Sequence, residues 1–183
     1  MSRELRLDTP RLYIRTPKRA DFQAWHLARE RSRDHLQPWE PLWSEKANTR
    51  SDWNTRHRAY RKALRDGRGY TFFLFSKSDD TFLGGIALTN IRYGAVLSAS
   101  LGYWLSIDAT GHGYMTEAVE HVCKWAQTRL KLERIAASTL PENEKSRLVL
   151  EQCGFLEEGL ARSYLQIAGT RRDHVLYALT TGE

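Results

Sequence analysis

Two glycines one residue apart, in Asp108-Ala109-Thr110-Gly111-His112-Gly113-Tyr114, constrain this chain's fold more than any other feature. The run before them, Leu101-Gly102-Tyr103-Trp104-Leu105-Ser106-Ile107, is apolar and of strand length. After them Met115, Ala118, Val119, Val122 and Ala126 recur at helical spacing. A strand therefore turns through the glycine pair into a helix. That turn presents free backbone N–H groups at the positive end of a helix dipole, which suits a phosphate-bearing ligand. It is not a P-loop, because Tyr114-Met115 follows Gly113 where Lys-Ser/Thr is needed. Nor is it a dinucleotide fingerprint, which takes three spaced glycines. Taken alone, the pair is equally consistent with a turn that binds nothing.

With 183 residues, 41% hydrophobic and 27% charged, the chain predicts one globular domain over 1–183 with its core at about 7–180. The apolar runs Thr71–Phe75 and Phe82–Leu88 are too short to cross a bilayer. The segment Met1–Arg6 lacks the apolar centre of a signal peptide. A cytoplasmic protein without a membrane partner is the expectation. Cys123 and Cys153 fall on different predicted helices, and the six histidines are scattered without ligand spacing, so two free thiols and no metal are expected. The net charge is +6, and Arg56, Arg58, Arg61, Lys62 and Arg65 share one predicted helix. Such a cluster either steers an acidic partner or is a solvated face, and the second is favoured.

The remaining pattern predicts a mixed α+β order. Leu12–Arg15 is a strand, followed by a helix over about 19–33 with Phe22, Trp25 and Leu27-Ala28 toward the core. A stiff Pro/Trp stretch, His35–Trp43, leads to a helix over about 51–65 with Trp53, His57, Tyr60 and Leu64 on one stripe. Strands at Tyr70–Ser76, Phe82–Ile91 and about Ser98–Ile107 form an antiparallel meander with turns at Asp79-Asp80 and Tyr93-Gly94. After the glycine turn and its helix come a strand Arg134–Thr139, a helix Glu144–Gln152 stopped by Gly154, and strands Phe155–Leu165 and Asp173–Thr180. The sum is about seven strands, mostly antiparallel, and about four helices.

This order, with the glycine loop, resembles the GNAT superfamily of N-acetyltransferases, whose loop pattern is Gln/Arg-x-x-Gly-x-Gly/Ala. Asp108 stands where that pattern has a basic or amide residue. Asn143-Glu144-Lys145-Ser146, leading to Gly154-Phe155 and Gly159, resembles a second block of the family. His35-Leu36-Gln37-Pro38-Trp39-Glu40-Pro41 and Arg172–Leu176 resemble the ribosomal-protein-alanine N-acetyltransferase branch. The resemblance implies a splayed strand pair that holds acetyl-CoA. It implies that Gly111, His112, Gly113 and Tyr114 bind the pyrophosphate through their amides, and that Asn143 and Ser146 lie beside the pantetheine arm. Asn143 opens a helix, so it also suits a plain N-cap.

Acetyl transfer needs a neutral amine, a polarised thioester carbonyl and a proton for the departing thiolate. Backbone N–H groups at Leu105, Ser106 and Ile107 are candidates for holding the cofactor arm, and Lys145 and Arg147 for the CoA phosphates. Ser146, by its place in the resembling block, is the candidate for protonating the thiolate or guiding CoA, with Asn143 beside it. Glu40, next to Trp39, is the candidate for receiving a substrate ammonium group and a candidate base, as is a water held by Ser100, Tyr103 or Tyr164. Tyr103 and Tyr164 complete the expected acceptor site, either directly or through a held water, and no strand carboxylate stands out as a base. An α-amino group titrates near ~7.7–8.0, so it asks less of a base than lysine at ~10.4. The expected activity is therefore acetylation of a protein N-terminal α-amine, as a monomer or homodimer, ribosomal by the resemblance and with rRNA at most nearby. Acetylation of a small amine (antibiotic, polyamine or amino acid) and a non-catalytic CoA-binding, ribosome-associated factor are the alternatives.

Overall fold

A computed structural model describes residues 4–181. Eight strands form one sheet in the order β1-β2-β3-β4-β5-β6-β8-β7. They are β1 (Arg6–Asp8), β2 (Leu12–Arg15), β3 (Tyr70–Ser76), β4 (Phe82–Arg92), β5 (Ser98–Leu105), β6 (Arg134–Thr139), β7 (Leu156–Ile167) and β8 (Thr170–Thr180). Every neighbouring pair is antiparallel except β5 with β6. Five α-helices accompany them: α1 (Phe22–Arg31), α2 (Arg33–Leu36), α3 (Arg50–Arg65), α4 (Tyr114–Arg129) and α5 (Glu144–Gln152). None is long and apolar enough to cross a membrane.

The parallel pair follows from connectivity. Adjacent parallel strands need a crossover, and α4 provides it between β5 and β6. Its stripe packs as expected from the spacing: Met115, Ala118, Val119, Val122 and Ala126 are all buried. They join Leu12, Ile14, Phe72, Leu74, Ile86 and Ile135 in the larger core. A second core, of Phe22, Trp25, Trp53, Phe73, Phe75 and Phe82, seals α1 and α3 onto the other side of the meander. Trp53 is fully buried, while His57, Tyr60 and Leu64 on the same stripe are half-buried. On the outer face of α3, Arg56 and Lys62 pair with Asp52 and Asp66 one turn away, while Arg58 and Arg61 are exposed.

Three expectations are corrected. The sequence reading gave no strand before Leu12, yet Arg6–Asp8 pairs with Tyr13–Arg15 as a three-residue edge strand. Leu27 is half exposed, because the buried face of α1 runs through Phe22, Trp25, Ala28 and Arg29. The Pro/Trp stretch is not all loop: α2 and a 3-10 turn at Gln37–Trp39 occupy most of it, with Pro38 set at the start of that turn.

Gly154 stops α5 as the sequence predicts. Phe155 N–H bonds to Leu150 O at 3.0 Å and Gly154 has φ of +82°, so the buried Phe155 folds back onto the helix it ends. Gly84 has a different reason for being glycine. A Cβ there would lie 2.2 Å from Trp104 O on the neighbouring strand. Gly84→Ala is therefore expected to force β5 outward and to cost at least about 1–3 kcal/mol. Thermal denaturation tests this, and an unchanged midpoint would show that β5 is free to shift.

Candidate active site

The site begins where the sheet comes apart. β5 and β6 pair from Ser98↔Arg134 to Leu101↔Ala137, and then β5 continues to Leu105 and β6 to Thr139 without pairing. Ser106 N–H donates to Leu83 O at 2.8 Å. Backbone groups alternate along a strand, so the amides of Leu105 and Tyr103 face the opposite edge, into the gap beside β6. The three amides expected to hold the cofactor arm thus reduce to one. Ser106 N–H is taken by Leu83, and Ile107 N–H donates to Ser32 Oγ at 2.9 Å. Leu105 alone of the three faces the gap.

Across that gap Tyr103 of β5 meets Ser146 of α5. The Tyr103 hydroxyl donates to Ser146 O at 3.1 Å and lies 2.9 Å from Ser146 Oγ. Burial pushes the Tyr103 phenol well above its ordinary value, although the bond to Ser146 works the other way. Asn143 is the N-cap of α5, its Oδ1 accepting from Ser146 N–H at 3.2 Å. It therefore fixes the serine rather than standing free beside it. Lys145 is exposed on the same first turn. His35 of α2 titrates below its ordinary value, first through burial and then through the charge of Lys145. Arg147, expected near the CoA phosphates, is turned away: Nε donates to Tyr177 Oη at 3.0 Å and Nη2 pairs with Glu157.

At the other end of the gap lies the glycine loop. Gly111 and Gly113 have φ of +81° and +73°, left-handed values that a Cβ would oppose, and Gly113 caps α4. Among the described residues, the amides of Gly111 through Thr116 donate to no protein acceptor, and the first bond of α4 is Glu117 N–H to Gly113 O. Six successive amides at a helix N-terminus are therefore left without a protein acceptor. His112 is exposed, with its ring tilted against Tyr114. Asp108 projects into solvent 4.0 Å from the Arg31 guanidinium, so its charge is not aimed at these amides. A cavity of about 390 Å³ adjoins the loop, lined by Leu27, Ser78, Phe82, Ser106, Asp108 and His112 among others.

The expected acceptor residues form a separate group. Glu40 is not a free carboxylate. Arg29 grips it through two hydrogen bonds of 2.7 and 2.6 Å, and Trp43 Nε1 donates to it at 2.7 Å. Arg29 is buried, donates to Asn48 Oδ1, and stacks under the Trp43 and Trp104 rings. Glu40 O also accepts from Ala168 N–H at 2.9 Å, tying this segment to the β7–β8 turn. Trp39 is half-buried in the same segment. Tyr164 lies on β7, exposed, with its ring edge against buried His174. Cys123 and Cys153 are free thiols, both raised to about 12 by burial, so neither is poised as a nucleophile.

A family model described as "Acetyltransferase (GNAT) domain" matches residues 11–156. The chain belongs to the GNAT acetyltransferase family. It is 34% identical over 180 residues to the [Ribosomal protein uS5]-alanine N-acetyltransferase of Escherichia coli, covering 97% of this chain and 92% of that one. It superposes on Mycobacterium smegmatis RimJ in complex with CoA-disulfide with a TM-score of 0.89 at 34% identity, over 97% of this chain and 86% of that one. The ribosomal-protein-S5-alanine acetyltransferase of Vibrio fischeri matches with a TM-score of 0.89 at 30% identity, over 96% of each chain.

Two site residues of this acetyltransferase escaped the sequence reading. Arg29 had a usable signal, since it sits seven residues after Phe22 and four after Trp25, on the buried face of α1. Arg11 had none; it reaches the glycine loop across 101 residues of chain to bond His112 O. If Arg29 and Glu40 act as one unit, then Arg29→Met, Glu40→Gln and the double variant will show a coupling of about 0.5–3 kcal/mol by chemical denaturation. Strictly additive losses would mean the pair holds nothing together.

Proposed function

We propose that this chain transfers the acetyl group of acetyl-CoA to the N-terminal α-amine of a protein, a ribosomal protein in the first instance. The observation that carries the reading is the Tyr103–Ser146 hydroxyl pair across the β5–β6 gap, with the free Leu105 amide further along the same strand and the open glycine-loop amides beyond its end. The gap suits an extended arm and the loop suits a pyrophosphate. The amides of Gly111, His112, Gly113 and Tyr114 would hold the phosphates, those of Leu105 and Tyr103 the arm, and exposed Lys145 adds positive charge near the mouth. The uS5-alanine acetyltransferase of E. coli and the CoA-bound RimJ support the donor and the acceptor class by their names.

Bound acetyl-CoA supplies the activated acyl group, and the chain's own residues do the rest. Ser146 Oγ, held by the Asn143 cap and by Tyr103, hands its proton to the departing thiolate, and the Tyr103 hydroxyl replaces it. The proton shed by the newly acylated nitrogen returns through water to Tyr103, so that one proton passes net from amine to thiolate. Burial keeps the Tyr103 phenol protonated well past the ordinary range, so it starts each turnover in the donor form, and the same burial makes its phenolate take a proton back. Both thiols being raised to about 12, direct attack by the amine is favoured over an acyl-cysteine. Glu40, with both oxygens on Arg29, holds the acceptor loop in place instead of drawing a proton from the amine. Trp39 and Tyr164 are the aromatic walls for the incoming peptide. No dedicated base is required of the chain, because an α-amino group near ~7.7–8.0 is already partly neutral at cell pH.

Purified protein given acetyl-CoA with ribosomal N-terminal peptides, polyamines and aminoglycosides should add a single acetyl to a peptide α-amine, read by intact mass. Acetylation of the small amines alone would instead assign the small-molecule reading, and CoA uptake without any transfer the non-catalytic one. Ser146→Ala should lower kcat on the order of 100-fold while the CoA dissociation constant moves far less. Equal losses in both would make Ser146 a binding residue only. The pH profile of kcat/KM should rise through about pH 8 with the amine and then stay level to about pH 10. A falling limb inside that range would name a proton donor other than Tyr103.

A further inference from the structure

We propose that Arg11, a residue on no strand or helix, is a positioning residue of the acetyl-donor site that sets the direction of the Gly113 N–H. The proposal rests on the acetyl-CoA reading above. Arg11 Nη1 donates to His112 O at 2.8 Å. In a trans peptide the carbonyl oxygen and the next N–H point opposite ways, so fixing His112 O fixes Gly113 N–H on the side away from Arg11. That N–H has no protein acceptor among the described residues. The peptide needs such a restraint. Its orientation turns on the ψ of His112 and the φ of Gly113, and Gly113 is a glycine at positive φ, where the backbone has little intrinsic preference for one orientation.

Arg11 is itself held on several sides. Glu117, in the first turn of α4, accepts from Arg11 Nε at 2.7 Å and from the Arg11 backbone N–H at 2.8 Å, and also from the Thr9 hydroxyl. The guanidinium lies 4.8 Å from the centre of the Tyr114 ring. Burial pushes the Glu117 carboxyl up, but these hydrogen bonds outweigh it and hold the carboxyl below its ordinary value. Glu117 therefore stays ionised and keeps its grip on Arg11. The planar fork of an arginine spans Glu117 and His112 at once, which a lysine ammonium cannot reproduce. Arg11 also brings a cation to a loop whose pattern position for one is filled by Asp108.

The test is CoA affinity by titration, with kcat measured on an acceptor peptide at saturating donor. Arg11→Gln should weaken CoA binding roughly 10- to 100-fold, with kcat within about twofold of wild type and the thermal midpoint little changed. Arg11→Lys should be nearly as weak, since it keeps the charge and loses the fork. In the wild-type protein, which needs no substitution to fold, the amide resonance of Gly113 should move downfield when CoA is added. Full affinity in Arg11→Lys would overturn the proposal in favour of simple charge. Unaltered affinity in Arg11→Gln, an unmoved Gly113 resonance, or a joint fall of kcat, affinity and thermal midpoint would overturn it too. Wild-type protein that takes up no CoA is a separate result, and it would overturn the donor reading itself.

Discussion

The parting of β5 from β6 after Leu101 and Ala137 is the constraint on which the rest of the site depends. Up to that point the two strands satisfy each other's backbone groups. Beyond it, the edge of β5 that faces β6 must find other partners or a ligand, because unpaired amides near a core are costly. The protein keeps the gap open by tying its flanks elsewhere. Ser106 and Ile107 are drawn toward Leu83 and Ser32, while Tyr103 reaches α5 through Ser146. Gly84 contributes by letting Trp104 approach β4 at a distance no side chain would allow. The opening is thus bounded by hydrogen bonds on both sides, with a hydroxyl pair across it.

What the sequence made legible was local. Helical spacing, apolar runs and turn residues placed β2 through β8 within a few residues, because most of these signals are local to their element. The glycine loop and Gly154 were readable because left-handed backbone leaves a mark on the residue itself. The family resemblance located Ser146 and Asn143, and the N-cap rule explained Asn143 independently. The loop of Trp39 and Glu40 was legible as stiff and aromatic, but not as an ion-paired anchor.

What stayed hidden was pairing at a distance. Nothing near Glu40 announces that Arg29 will take both its oxygens, since a short helix and a turn containing Pro38 separate them. The amides of Ser106 and Ile107 looked available because their acceptors, Leu83 and Ser32, lie 23 and 75 residues away. Arg147 looked like a phosphate ligand from its place beside Ser146, but one residue along a helix turns a side chain by about 100°. That rotation sends it to Tyr177 and Glu157 on the far side. β1 is three residues long, too short to show a period.

The arginine–carboxylate pairs divide the labour of the site in a consistent way. Arg29 with Glu40 stabilises the acceptor segment, and Arg11 with Glu117 stabilises the loop at the other end. In both, the carboxylate is engaged on both oxygens and the guanidinium reaches beyond it, to Asn48 or to His112 O. Charge is thereby spent on geometry at the two ends, while the centre, at Tyr103 and Ser146, is built from neutral hydroxyls. A neutral centre favours an acceptor that arrives with little proton to lose. That is the property separating an α-amine from a lysine side chain, and in the function proposed above it ties the ionic scaffold to the acceptor.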